Sequence, residues 1–284
     1  MVRVDSRAAY RTVRARARAR AAGREEARFR TGLHFDAHAP AVLLSPHLDD
    51  AVLDCWAVLV GEASLNVVNI FAGVPPASQA MTVWDEMTGA ASCAQRVRER
   101  IAEDAAALAL AGREPINLAL LDVQYRRGST PALQALDAQL AGSVHSASRI
   151  YAPAAIGRHS DHLLIRRYAL ALARAGIPLT LYADLPYSVL HGWPAWVDGS
   201  EPDPHRNVDA YWQSFLEGVP QMPPLRSGEV VCLDDAQAAR KLAAMRAYTS
   251  QFPCLDYGGG RVMSDGAIHR YELSWSVGAQ PMSS

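Results

Sequence analysis

The segment "SPHLDD" places three side chains that could do chemistry within four residues: His47, Asp49 and Asp50. It directly follows the apolar run "AVLLS" (41–45), which is typical of a buried strand. One aspartate at such a junction indicates a helix N-cap, where free backbone amides favour negative charge. A cap leaves the second carboxylate and the imidazole without a role. Because zinc accepts histidine nitrogen and aspartate oxygen, the segment offers half of a metal site.

A second segment, "GRHSDH", repeats the His-x-Asp pattern and adds a further histidine, His162. It follows the apolar run 148–153, so both segments come directly after a predicted strand. In doubly wound sheets, ligands bind at the carboxyl ends of the strands, where the strand order reverses. In a sheet of order 3-2-1-4-5, the strands 41–45 and 148–153 are neighbours at that point, and His47 and His162 meet across the crevice. The order 2-1-3-4-5 is the alternative.

The elements that must position these residues alternate along the chain between short apolar runs and longer helical patterns. This alternation predicts an α/β fold with a Rossmann-like, mostly parallel sheet and helices on both faces. The predicted strands cover 41–45, 65–73, 116–122, 148–153 and 178–185, and the predicted helices cover 50–61, 94–112, 131–142 and 161–175. Residues 186–232 lack periodicity and predict a loop-rich C-terminal elaboration, which a helix at 234–250 and a strand at 268–277 complete.

Composition excludes several other classes of protein. Half of the 284 residues are apolar and 20% are charged, as in ordinary globular proteins. The net charge of −1 gives no support for a nucleic-acid partner, and no apolar run approaches the ~20 residues that span a bilayer. Four widely spaced cysteines without a CxxC pair indicate reduced thiols in a cytoplasmic protein. A Gly-rich phosphate-binding loop is absent, so the sequence supports no cofactor beyond a metal.

Residues 1–34 form a basic N-terminal segment that is rich in arginine and alanine. One interpretation is an arm that binds a polyanion. The favoured interpretation is a solvated helix, because alternating Arg and Ala spread charge around the whole circumference and the acidic remainder of the chain offsets it. The domain boundaries predicted here are therefore a helical segment at 1–34 and a single domain at 35–284.

The motifs "SPHLDDAVL" and "GRHSDH" together resemble the PIG-L/LmbE-like zinc-dependent de-N-acetylases. The resemblance covers roughly residues 40–185. Supporting pieces are "WDEMTG" (84–89), "RVRERIAEDAAALA" (96–109), "LLDVQYR" (120–126), "YADLPY" (182–187) and, beyond that span, "AYTSQ" (247–251). It implies a hydrolase that removes an N-acetyl or other N-acyl group from a small-molecule amino sugar or glycoconjugate, for example a natural-product intermediate.

The resemblance also implies the roles of the site residues. Three protein ligands leave one position of zinc open for water, and here the ligands of one Zn²⁺ would be His47, Asp50 and His162. Asp49 would be the general base, and His159 would assist the oxyanion or the leaving amine. Asp161 would lie behind these residues and hold His159 or His162 in the right tautomer.

The sequence departs from the family pattern at several positions. Leu48 and Ala51 stand where many members have proline and glutamate, and Cys55-Trp56 replaces a glycine pair. Gly157 stands where some members carry a mobile tyrosine. Part of the oxyanion assistance must therefore come from elsewhere in this chain or be absent.

Substrate contacts are harder to predict. Arg100 could hold a substrate hydroxyl or phosphate, or it could be an exposed helical arginine paired with Glu103 or Asp104. Asp122 could bind sugar hydroxyls or cap a turn. Three tryptophans in the loop-rich region could stack on a sugar face, although such residues more often pin loops to a core: Trp193, Trp196 and Trp212.

The sequence leaves two rival functions open, together with one variant of the same activity. A metal phosphohydrolase of the HD type would be all-helical, which the predicted strands disfavour. A sugar-binding relative without activity is disfavoured because the set of histidines and aspartates is intact. An amidase acting on a larger acyl conjugate would use the same machinery. Substrate specificity would reside in the loops at 74–92, 123–130 and 186–232.

Overall fold

The computed structural model describes residues 33, 35–126, 128, 130–190, 192–252 and 265–278. The helical segment predicted at 1–34 lies almost entirely outside the described residues, so it stays a prediction. Cys254 also lies outside them. Within the described ranges, no helix combines the length and the apolar character that crossing a membrane requires.

A seven-stranded sheet forms the centre of the fold. Its order is β3-β2-β1-β4-β5-β7-β6. The first five strands are parallel, whereas β7 pairs antiparallel with both β5 and β6. The strands are β1 (Ala41–Ser45), β2 (Leu65–Asn69), β3 (Pro115–Asn117), β4 (Ile150–Pro153), β5 (Leu179–Tyr182), β6 (Glu229–Cys232) and β7 (Tyr271–Val277). The Rossmann-like order is confirmed, and a sheet of this size excludes the all-helical HD-type phosphohydrolases.

Helices follow most of the parallel strands. The described helices are α1 (Asp50–Asp54), α2 (Trp56–Gly61), α3 (Val83–Met87), α4 (Cys93–Ala109), α5 (Leu133–Val144), α6 (Ser160–Arg174), α7 (Ala195–Asp198), α8 (Val208–Leu216) and α9 (Asp235–Met245). Helix α6 packs on β4 and β5, and α9 packs against α1 and α4. Every residue of β1, β4 and β5 is buried. Because strand side chains alternate between faces, the sheet is covered on both sides.

The helix predicted at 50–61 is interrupted at Cys55, whose backbone angles (φ −136°, ψ 35°) end α1 and begin α2. The buried carboxylate of Glu272 accepts the backbone N–H of Trp56 at 2.7 Å and that of Ala57 at 2.9 Å. It therefore satisfies the free amides at the start of α2. Burial raises the pKa of Cys55 well above its usual range, so this thiol is not activated as a nucleophile.

Two other predicted elements differ from the structure. The run 116–122 contributes only the short strand β3, after which the chain turns toward the site. Residues 186–232 are loop-rich, as predicted, but they also contain α7, α8 and the edge strand β6, which the sequence did not predict. In α8, Trp212 and Leu216 are buried four residues apart, but proline, glycine and charged residues around the helix obscure its periodicity in the sequence.

Candidate metal and active site

The two His-x-Asp segments meet at the carboxyl ends of β1 and β4, where the strand order reverses. His47 follows β1, and the Ser45 hydroxyl donates to the His47 carbonyl oxygen at 2.7 Å while it accepts from the Ala51 N–H at 3.2 Å. These bonds fold the turn tightly over the strand end. His162 lies in the first turn of α6 and is completely buried.

Three potential ligand atoms form a nearly equilateral triangle. Nδ1 of His47 lies 3.2 Å from Nε2 of His162, and each of these nitrogens lies 3.3 Å from Oδ2 of Asp50. Ligands of a tetrahedral zinc ion at ~2.0–2.1 Å are roughly 3.3–3.4 Å apart. The spacing and the donor types of the predicted set therefore fit zinc.

Two looser groups of possible ligands share His47. One consists of His47, His159 and His162, and the other of His47, Asp122 and Asp161, with all atoms of each group within 4.8 Å of one another. The second uses the opposite nitrogen of His47, which lies 3.3 Å from Asp161 but 3.9 Å from Asp122, whereas every edge of the triangle with Asp50 measures 3.2–3.3 Å. We therefore regard the triangle as the better metal site.

The second nitrogen of each triangle histidine faces a carboxylate. Nδ1 of His162 lies 2.9 Å from Oδ2 of Asp184, and Nε2 of His47 lies 3.3 Å from Oδ2 of Asp161. Such carboxylates fix the tautomer that turns the other nitrogen toward a metal. Asp161 thus faces His47, whereas the sequence analysis expected it to hold His159 or His162. It also accepts the Val123 N–H at 3.0 Å and pairs with Arg126.

Asp184 was missed by the sequence analysis, although it lies in the quoted piece "YADLPY" two residues after β5 ends. Its position at a strand end was the available signal. Its other oxygen accepts the Ile156 N–H at 3.0 Å, so Asp184 also secures the loop that precedes α6.

The charges of the site favour a cation. Burial lowers the pKa of His47, but Asp122, Asp161 and Asp50 outweigh burial and raise it to about 10. Burial likewise opposes the protonation of His162, yet Asp50 and Asp184 raise its pKa well above the usual range. The carboxylates around both imidazoles thus attract positive charge, which a divalent metal would supply in place of protons.

Asp49 borders the same cavity but does not belong to the ligand triangle. Burial, and then the neighbouring Asp50, raise its pKa to about 6, while Arg100 and the two triangle histidines oppose that rise. Oδ2 of Asp49 lies 3.8 Å from Nη2 of Arg100. The result is a buried carboxylate with a pKa close to neutral pH, which suits a general base.

Arg100 is buried rather than exposed, and its partners are Asp49 and Asp122, with Nη1 3.8 Å from Oδ2 of Asp122. The alternative of a surface pair with Glu103 or Asp104 is therefore wrong. Asp122 caps a turn and also lines the site. Its Oδ1 accepts the Gln124 N–H at 3.0 Å, and its Oδ2 lies 3.9 Å from Nε2 of His47.

His159 lies beside the triangle without belonging to it. Its ring centroid is 4.8 Å from that of His47 and 5.2 Å from that of His162, both edge-on. Burial and these two histidines lower its pKa to about 4, so its imidazole is neutral at pH 7. The ring of Tyr187, a residue that the sequence analysis did not single out, stacks on His159 at 5.7 Å.

A cavity of about 410 Å³ opens above these residues, within the range of small-molecule sites. Its walls include His47, Asp49, Asp50, Arg100, Asp122, His159 and Tyr187, together with Trp84, Gln124 and Gln251. The tryptophans considered for sugar stacking do not line it. Trp193 and Trp212 are buried against each other, with ring centroids 5.2 Å apart, and Trp196 lines a different cavity. Trp84, from α3, is the tryptophan that faces this one.

No protein-family model matches the chain, and no curated protein matches it. Solved structures of deacetylases do match. A triple mutant of the deacetylase Orf2*T of the teicoplanin biosynthetic pathway is 26% identical, with a TM-score of 0.63 over 86% of this chain and 100% of that chain. The zinc-inhibited form of teicoplanin deacetylase Orf2 is also 26% identical, with a TM-score of 0.62 and the same coverage of both chains. The A40926 pseudoaglycone deacetylase Dbv21 is 26% identical, with a TM-score of 0.60 over 84% of this chain and 97% of that chain.

These matches extend over nearly the whole of each solved chain and over 84–86% of this chain. They agree with the paired His-x-Asp motifs, the strand order and the zinc-sized triangle of ligands. The predicted resemblance to the PIG-L/LmbE-like de-N-acetylases is therefore confirmed by the similarity of the chain to solved deacetylases.

Proposed function

We propose that this protein hydrolyses the N-acyl group of an amino sugar carried by a glycoconjugate, with zinc held by His47, Asp50 and His162. The observation that carries the proposal is the ligand triangle with edges of 3.2–3.3 Å in the floor of a cavity that Asp49 and His159 also line. A metal bound there, the carboxylate of Asp49 and the imidazole of His159 would thereby all face one substrate.

Zinc in this position would acidify water and polarise the carbonyl of the amide. Asp49 would accept the proton of the attacking water. It is buried beside the ligands, and Arg100 keeps enough of it ionised to act as a base near neutral pH.

His159 would act on the opposite side of the reaction. Its imidazole is neutral at pH 7, so it can donate an N–H to the oxyanion that forms on the acyl carbon. The proton that Asp49 takes from the water would then pass to the nitrogen of the departing amine. Asp161 and Asp184 would hold the two ligand histidines in the tautomers that bind metal.

The cavity suits a sugar. Trp84 offers an aromatic face, and polar groups of Asp122, Gln124 and Gln251 surround it. Two of the matched solved proteins are described as a teicoplanin deacetylase and an A40926 pseudoaglycone deacetylase. We therefore favour an acylated amino sugar on a natural-product scaffold, such as a glycopeptide, as the substrate class.

The proposal is tested by incubating the zinc-loaded protein with N-acetylglucosaminyl glycopeptides and with simple N-acetylglucosaminides. Release of a primary amine and loss of the acetyl mass are followed together. A parallel series with longer N-acyl chains distinguishes a deacetylase from an amidase of larger conjugates. Activity that chelator removes and zinc restores supports the proposal. A fully zinc-loaded protein that binds these compounds and releases no amine would indicate a sugar-binding relative instead.

A further inference from the structure

We infer that Tyr187 is a positioning residue for His159, and that position 157 is glycine because Tyr187 occupies the space of any side chain there. The inference rests on the proposed function, in which His159 acts on the substrate. It concerns how this chain fixes an imidazole whose Nδ1 has no hydrogen-bond partner in the part of the chain that the structure describes.

Ring contacts orient the imidazole of His159. Its Nδ1 atom is buried and has no hydrogen-bond partner among the described residues. Tyr187 covers one face, with the ring planes 24° apart and the centroids 5.7 Å apart. His47 and His162 meet the ring edge-on. Without Tyr187, the imidazole would lose the contact that fixes its plane.

Gly157 makes room for this contact. Its φ is +87°, a conformation that side chains rarely adopt, and a Cβ atom built on it would lie 2.5 Å from Cβ of Tyr187. Two non-bonded carbon atoms do not lie so close, so one of the two residues would have to move. A side chain at position 157 therefore excludes the observed position of Tyr187, and the two residues form one steric unit.

Tyr187 belongs to a segment that is firmly attached on both sides. The Leu185 N–H donates to Oδ1 of Asp54 at 2.8 Å, and the Ser188 N–H donates to the Asp184 carbonyl oxygen at 2.9 Å. The side chain of Asp184 in turn faces the ligand His162. The same segment thus sets the position of one ligand histidine and the plane of His159.

The first test separates the ring of Tyr187 from its hydroxyl. Tyr187→Phe keeps the stacked ring and is expected to retain kcat within about threefold, whereas Tyr187→Ala loses roughly 10–100-fold in kcat, a typical cost of misplacing a reacting group. KM and zinc content should stay near wild type in both. If Tyr187→Phe loses as much kcat as Tyr187→Ala, the hydroxyl is the working group and the inference is wrong.

The second test uses the steric unit. Gly157→Ala is compared with Gly176→Ala, a matched control with φ +107° and no atom within 4 Å of the added carbon. Only Gly157→Ala should lower kcat, and it should cost much less in the Tyr187→Ala background, because the obstructing side chain is gone. Equal effects of the two alanines, or full additivity with Tyr187→Ala, would contradict the inference.

Crystal structures of the zinc-loaded variants give a readout that does not depend on activity. The His159 ring should keep its plane in Tyr187→Phe and rotate in Tyr187→Ala and Gly157→Ala. An unmoved ring in the last two contradicts the inference. If wild-type protein releases no amine from any substrate, the proposed function fails, while this structural comparison still decides the role of Tyr187.

Discussion

Nδ1 of His47 and Nε2 of His162 lie 3.2 Å apart although 115 residues separate the two histidines in the chain. Each ring turns its other nitrogen toward a carboxylate, Asp161 for His47 and Asp184 for His162. If both outer nitrogens carry the hydrogens, the inner nitrogens face each other with lone pairs. That arrangement is stable only with positive charge between the rings, which explains why a metal fits here.

His162→Ala is expected to weaken zinc binding by more than about 100-fold, and Asp184→Asn by the ~10–100-fold typical of a carboxylate behind a ligand. The loss is larger for His162→Ala because His162 supplies one atom of the triangle, whereas Asp184 only orients the His162 ring. Zinc content after dialysis and calorimetric titration measure the effect. His145→Ala is the control, since that histidine pairs with Asp137 instead. Full zinc occupancy in His162→Ala would remove this residue from the ligand set.

Asp49→Asn is expected to retain zinc and lose turnover by on the order of 10²–10⁴-fold, the range for a lost acid–base group. The amide is the same size as the carboxylate but cannot take a proton from water. The amine-release assay at saturating substrate, run beside zinc analysis of the same sample, checks this. Unchanged turnover would exclude Asp49 as the base.

Trp84→Ala is expected to raise KM roughly twofold to tenfold and leave kcat close to wild type, as for the loss of one aromatic contact worth ~0.5–1.5 kcal/mol. Trp84 lines the active-site cavity, whereas Trp196 lines a different one. Trp196→Ala is therefore the matched control and should leave KM unchanged. A larger rise in KM for Trp196→Ala would place the sugar elsewhere.

Glu272→Gln is expected to lower the free energy of unfolding by about 3–5 kcal/mol, because it leaves Lys241 buried and charged without its partner. Nζ of Lys241 lies 2.6 Å from Oε1 of Glu272, and neither side chain is exposed. Urea denaturation measures the change. Arg226→Met, which breaks an exposed pair with Asp209, is the control and should cost less than about 1 kcal/mol. Equal costs would mean that the buried pair is not needed for stability.

The stability of the fold should fall as pH rises toward 7 because of Asp104. Burial raises the pKa of Asp104 to about 7, although Tyr248 and Asn69 donate to its two oxygens. Between pH ~4 and 7, only the folded state holds this proton, so stability present below pH ~4 is lost across that range.

Asp104→Asn removes this proton and should flatten the decline measured by urea denaturation at pH 4–8. The exposed Glu201→Gln controls for the loss of one charge. The same slope in wild type and in Asp104→Asn would show that Asp104 is ionised in the folded protein.

Local patterns were sufficient to predict the parallel part of the sheet and the proximity of the two His-x-Asp segments. Apolar runs mark β1 and β4, and the rule that ligands bind where strand order reverses brings His47, Asp50 and His162 together. The supporting carboxylate of Asp184 was within reach of the same rule, because it follows a strand, but no second polar residue beside it marked the position.

Contacts between distant residues account for what the sequence did not reveal. Helix α1 ends at Cys55 where Glu272, 216 residues from Trp56, accepts the amides of α2. The stack of Tyr187 on His159 depends on the missing side chain of Gly157, and a glycine in a sequence does not say what fills its space. Burial of Trp193 and Trp212 likewise depends on how α8 packs, and the proline, glycine and charged residues around α8 hide that helix in the sequence.

Lys241 is the only lysine in the chain, and its ammonium group is completely buried against Glu272. Amine-reactive dyes therefore find no accessible lysine side chain on the folded protein. The terminal α-amino group is then the main amine that each chain contributes, so with substrate in excess over enzyme the growth of fluorescence during turnover reports the liberated sugar amine.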